Sequence, residues 1–131
     1  MQIISEKQLS SFKKFLELHD SFIIAGHKDP DGDCISSCLG LSYIVENTGK
    51  PYIMLNAGPF KRIEIREYAD FFRNDIPFMT QDERNRCGLI MTDCSEILRL
   101  GEIDGDLKGF DTFIIDHHKT ADSNGENTII D

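Results

Sequence analysis

Long apolar runs are missing from this sequence of 131 residues. None approaches the length needed to span a bilayer, and Met1-Gln2-Ile3-Ile4 is too short for the apolar centre of a secretion signal. Those two absences predict a cytoplasmic protein with no membrane partner. Surplus positive charge is missing too. The formal net charge is −9 and no basic stripe interrupts it, so long duplex nucleic acid is not an expected partner. The four cysteines, Cys34, Cys38, Cys87 and Cys94, contain no Cys-x-x-Cys pair, which argues against a structural zinc knuckle. A Gly-x-Gly-x-x-Gly turn is absent, so the dinucleotide-binding fingerprint is excluded. Internal repeats and low-complexity linkers are absent as well. What remains is one small domain, long enough to bury a core without disulfides.

The apolar segments that are present alternate with helical patterns. Leu9, Phe12, Phe15, Leu16 and His19 recur at helical spacing and predict a helix over 5–19. Residues 22–26 are apolar on both faces, as a buried parallel strand requires. A second helix is expected over 34–48, with Asp33 as its N-cap and Gly49 as its stop. Strands follow at 52–56, 88–92 and 111–115. A third helix is expected over 61–72, anchored by Ile63, Tyr68, Phe71 and Phe72. Residues 80–86 read as a polar connection, and 96–100 as a short helix after Ser95. Thr128-Ile129-Ile130 is strand-like. Alternation of this kind predicts an α/β fold, a mainly parallel open sheet with helices on both faces.

Three of the strands end in a histidine or an aspartate. His27 follows the first, Asp93 the third and Asp116-His117-His118 the fourth. In a parallel sheet these groups share the carboxyl edge, where open α/β sheets bind ligands. Crowded carboxylates and imidazoles repel one another unless cations sit between them. His27, Asp29 and Asp31 stand at alternate positions, so in an extended loop they point the same way. Pro30 favours that conformation at Asp29. Mixed nitrogen and oxygen donors suit manganese, magnesium, iron or zinc. A plain surface turn is the competing reading, since Asp-Pro-Asp-Gly is also good turn chemistry.

Gly32-Asp33 then opens a helix whose N-terminus attracts phosphate, with Ser36 and Ser37 as further donors. Asp93 has two oxygens and can bridge two metals. Adjacent histidines diverge, so one of His117 and His118 can ligate a metal while the other faces the substrate. His19 is expected to serve its helix end instead. Cys34 and Cys38 are one helical turn apart and could ligate or form a redox pair; packing in a reduced core is the expectation. Cys94 borders the site beside Asp93.

Taken in order, Gly26-His27-Lys28-Asp29-Pro30-Asp31-Gly32-Asp33, Asp93 and Asp116-His117-His118 make the sequence similar to the DHH phosphoesterase family. The resemblance implies a two-metal hydrolase of phosphoester or phosphoanhydride bonds. It implies two Mn2+ ions, with Mg2+ as the substitute. The Asp-Pro-Asp-Gly-Asp segment most resembles small bacterial members that degrade oligoribonucleotides and dephosphorylate phosphoadenosine phosphate. The implied substrate is thus a short RNA or a nucleotide 3′-phosphate. A cyclic dinucleotide phosphodiesterase of the same family is the alternative, and a non-catalytic binding or regulatory fragment is another.

Residue by residue, the resemblance makes His27 and Asp29 ligands of one metal and Asp31 and His117 ligands of the other. Asp93 becomes the bridge, His118 the contact to the scissile phosphate, and Asp116 the group that orients the pair. Catalysis falls to His118 and Asp93, and substrate binding to His118 and Ser36. The family also carries a fourth metal-binding motif and a separate glycine-rich substrate module. Neither is recognised before Asp131, so residues 1–131 are expected to be the N-terminal part of the catalytic domain, with the C-terminal module absent.

Overall fold

The computed structural model describes residues 6–116 and 128–130. Five strands form one sheet: β1 (Ser21–Gly26), β2 (Tyr52–Leu55), β3 (Cys87–Thr92), β4 (Asp111–Asp116) and β5 (Thr128–Ile130). Their spatial order is β2-β1-β3-β4-β5, and every neighbouring pair is parallel. All six residues of β3 are buried, which is why its sequence is apolar on both sides.

One face is covered by two helices, α1 (Glu6–Leu18) and α2 (Gly32–Glu46). Phe12, Phe15 and Leu16 of α1 and Cys34, Cys38, Leu41 and Val45 of α2 meet Phe22, Ile24, Ile90 and Phe113 of the sheet. The α2 residues recur three or four positions apart, so they form one stripe. Gly88 lets α1 approach β3 closely, since a Cβ there would lie 2.6 Å from the Phe15 ring. The opposite face carries Ile23, Ala25, Leu89 and Met91, packed against Leu100, Leu107 and Phe110 from the connection between β3 and β4. A short 3-10 turn, Ile97–Leu100, begins that cover.

Local details depart from expectation in three places. The second helix begins earlier than predicted, with Asp31 and not Asp33 as its N-cap; the Asp31 carboxylate accepts from the Cys34 N–H. The region expected as a third helix is a 3-10 segment, Ile63–Phe71, in which only Ile65 is buried. Ile63 is 81% and Phe71 58% exposed, so neither anchors the core. The four proposed anchors do not share one helical face, and after Phe71 the chain runs extended beside β2 through a Leu55–Arg73 bridge. Third, the polar connection contains a helical turn, α3 (Gln81–Asn85), closed by a capping box between Thr80 and Glu83.

This strand order has a switch point between β1 and β3. The chain leaves β1 towards β2 on one side and leaves β3 towards β4 on the other. A crevice therefore opens there at the carboxyl ends.

Candidate metal centre

His27 and Asp93 flank that switch point. Gly26 pairs with Thr92 in the β1–β3 register, so the next residue of each strand emerges at the same edge. His27 Nε2 lies 3.1 Å from Asp93 Oδ2. The His27 Nδ1–H donates to the Lys28 carbonyl at 2.7 Å. A carbonyl only accepts, so this bond commits Nδ1 and leaves Nε2 to face the carboxylate. Asp93 is buried, and its backbone is left-handed at φ 63°. Such strain in a non-glycine residue gathers at functional sites.

Cys34 completes the group. The His27 ring, Cys34 Sγ and an Asp93 oxygen lie within 4.8 Å of one another, the set of potential metal donors among the described residues. The Cys34 side chain raises the His27 imidazole to about 9, helped by the Lys28 carbonyl and Asp93 and opposed by burial. Hydrogen bonding with Cys38, and then with His27, holds the Cys34 thiol below its ordinary range despite burial. Cys38 is pushed up by the same Cys34 contact and by burial. His27 Nε2 and the Asp93 carboxylate thus face one another across the position a cation would take. The donor set fits a divalent cation: an oriented imidazole nitrogen, a buried carboxylate and a polarised sulfur.

Three loops hold this group in place. The Lys28 N–H donates to the Arg99 carbonyl and the Asp29 N–H to the Gly58 carbonyl, each at 2.9 Å. Asn56, buried at the end of β2, donates from Nδ2 to the His27 carbonyl at 3.1 Å and accepts from the Gly58 N–H at 2.8 Å.

The remaining expected site residues are placed as follows. Asp29 is exposed at φ 50°, so the extended loop predicted from Pro30 does not form. Its N–H bond to the loop after β2 overrides the local preference. Asp31 is half-buried and spends Oδ1 on the Cys34 N–H at 2.9 Å. Asp29 and Asp31 both stand outside the 4.8 Å group. Ser36 is exposed and, because α2 begins at Gly32, lies beyond its first turn. Asp116 ends β4 at the same edge, and the Asp93 N–H donates to the adjacent Ile115 carbonyl at 2.9 Å. His117 and His118 lie outside the described residues. His19 belongs to the other end of the sheet, bonded to Phe15 and Asp111.

Two residues were undervalued by sequence reasoning. Asn56 had a signal, since it ends a strand in a polar group as the other site residues do. Cys34, one helical turn from Cys38, could ligate or pack, and packing was the expectation.

Residues 21–131 match the DHH family, N-terminal domain. The chain belongs to the DHH family. Among solved structures, this DHH chain is similar to an exopolyphosphatase-related protein from Bacteroides fragilis. The two are 20% identical with a TM-score of 0.75, over 99% of this chain and 40% of that protein. The likeness supports the fold, and the chain spans well under half of that neighbour. No curated protein sequence matches the chain significantly. Among the described residues, no helix is long and apolar enough to cross a membrane.

Proposed function

We propose that this DHH chain carries the metal-binding face of a phosphoesterase that hydrolyses short oligoribonucleotides or nucleotide 3′-phosphates, with manganese as the working cation. The observation that supports it most is the His27–Asp93 pair, 3.1 Å apart at the switch point with Nδ1 already committed. His27 and Asp93 would hold the metal, and Asp29, Asp31 and His117 would add donors from the neighbouring loops. Bound there, the cation would supply an acidified water and polarise a phosphoryl oxygen.

The chain's own cations would receive the substrate. Lys28 and Arg99 share an open cleft with His27, and Lys61 and Arg62 line a second one beside Asp29. These cleft-lining groups belong to a chain of net charge −9. They suit phosphates arriving on either side of the metal loop. His118 would contact the scissile phosphate and Asp116 would orient the histidine pair. The four buried cysteines form no disulfide, which fits a reducing, cytoplasmic setting.

A second substrate class has a specific reason behind it, since the structural neighbour is exopolyphosphatase-related. The test is a chromatographic assay of the natural protein that contains this chain, with Mn2+ or with a chelator. An RNA dinucleotide, phosphoadenosine phosphate, cyclic di-AMP and polyphosphate are compared. Manganese-dependent turnover of the first two should dominate. Preference for polyphosphate would replace the substrate assignment, and equal turnover with chelator would remove the metal from it.

A further inference from the structure

We propose that Cys34 is a direct ligand of the cation held by His27 and Asp93, making a His–Asp–Cys position that prefers zinc, cobalt or iron to magnesium. The inference rests on the metal reading above and deepens it.

Three independent features point the sulfur at this position. First, the nitrogen, sulfur and oxygen donors lie within 4.8 Å of one another, whereas Cys38 and Cys94 fall outside that group. Ligand distances of roughly 2.0–2.3 Å for nitrogen, oxygen and sulfur around zinc-like ions place the donors of one ion about 3–4 Å apart. Second, Gly26 makes the room. A Cβ at this last residue of β1 would come to 2.5 Å from Cys34 Sγ, so any other residue would push the sulfur away from the strand end. Third, the first turn of α2 is pinned by the Asp31 side chain on the Cys34 N–H. Strand, loop and helix thereby fix one thiol against one imidazole.

A cysteine that merely packs would face hydrocarbon on all sides. Cys34 is fully buried, yet its sulfur lies within 4.8 Å of a His27 ring nitrogen at the rim of the crevice. A thiolate there is soft and negatively charged. It would strengthen binding of thiophilic cations and weaken the relative claim of magnesium, which favours oxygen. The site would then differ in preference from positions built only of histidine and aspartate.

The experiment is a cobalt(II) titration of this chain under reducing conditions, followed by absorption. Thiolate bound to cobalt gives a near-ultraviolet charge-transfer band, whereas imidazole and carboxylate give only the visible ligand-field bands. The wild-type protein should show both. Cys34→Ser should lose the near-ultraviolet band and keep the visible ones, while Cys38→Ala and Cys94→Ala keep both. In competition, Cys34→Ser should lower the zinc-to-magnesium preference by about tenfold or more, as expected when a ligand is lost. If Cys34→Ser does not fold, the wild type and the other two variants still assign the band. Visible bands without a thiolate band in the wild type would overturn the inference and leave the metal site standing. Persistence of the band in folded Cys34→Ser would also overturn it. Failure of the chain to bind cobalt, manganese or zinc would overturn the metal reading itself.

Discussion

Two histidines of this chain are wired almost alike and lie in different surroundings. His19 donates Nδ1–H to the Phe15 carbonyl at 2.8 Å and places Nε2 3.0 Å from Asp111 Oδ2. His27 donates Nδ1–H to the Lys28 carbonyl at 2.7 Å and places Nε2 3.1 Å from Asp93 Oδ2. The difference lies around the pair. The Asp111 side chain is 71% exposed, whereas that of Asp93 is 3% exposed. His19 stacks on Phe15, with ring centroids 4.3 Å apart, at the amino edge of the sheet. His27 meets Cys34 at the carboxyl edge. A histidine–aspartate bond is therefore not a site in itself. Only the His27 pair sets a buried carboxylate at the switch point with a third potential donor beside it.

The comparison breaks most visibly at the two carboxylates. Asp93→Ala should weaken manganese binding by more than about 100-fold, beyond what loss of an orienting neighbour costs. Asp111→Ala should leave it within about twofold, because solvent already screens that group. Calorimetric titration of both variants reads the contrast directly.

The next effect is in the pH dependence. His27 keeps its proton up to about 9. Below that pH a cation has to displace the proton from Nε2. Apparent metal affinity should then rise about tenfold per pH unit and flatten near that value. The same titration in His19→Gln should give an unchanged profile. A flat profile in the wild type would show that Nε2 is not a ligand.

A smaller effect separates structure from function. His19→Ala removes a buried ring and two hydrogen bonds, so it should cost about 1–3 kcal/mol of folding stability. Denaturant unfolding should show that loss while metal affinity stays the same. Asp111→Ala should cost under about 1 kcal/mol, as exposed pairs do.

Much of this frame was legible in the sequence. The strands could be read because buried parallel strands are apolar on both sides and stop at polar residues such as His27 and Asp93. Their parallel order followed from alternation with helices. The fine placement of the acids was not legible. Asp31 and Asp33 are equally good caps by type, and only the bond to the Cys34 N–H decides between them. Asp29 precedes a proline and reads as extended, yet the bond from its N–H to the Gly58 carbonyl sets a positive φ. The apolar residues of 61–72 suggested an anchored helix, but the chain needs that stretch to turn and run beside β2. Cys34 was open to two readings, ligand or packed core residue, and its spacing from Cys38 could not choose between them. Its setting depends on a side chain that Gly26 lacks and on a histidine seven positions earlier, a coincidence of three elements that no local pattern encodes.

If the metal reading holds, the carboxyl edge of the sheet, and not the amino edge, binds the cation. Crystals of the protein soaked in manganese, measured at the manganese absorption edge, test it most directly. The account predicts an anomalous peak between His27 Nε2 and the Asp93 carboxylate, at ligand distances of roughly 2.0–2.3 Å. A peak at His19 and Asp111, or none at His27 with the metal in millimolar excess, would contradict it.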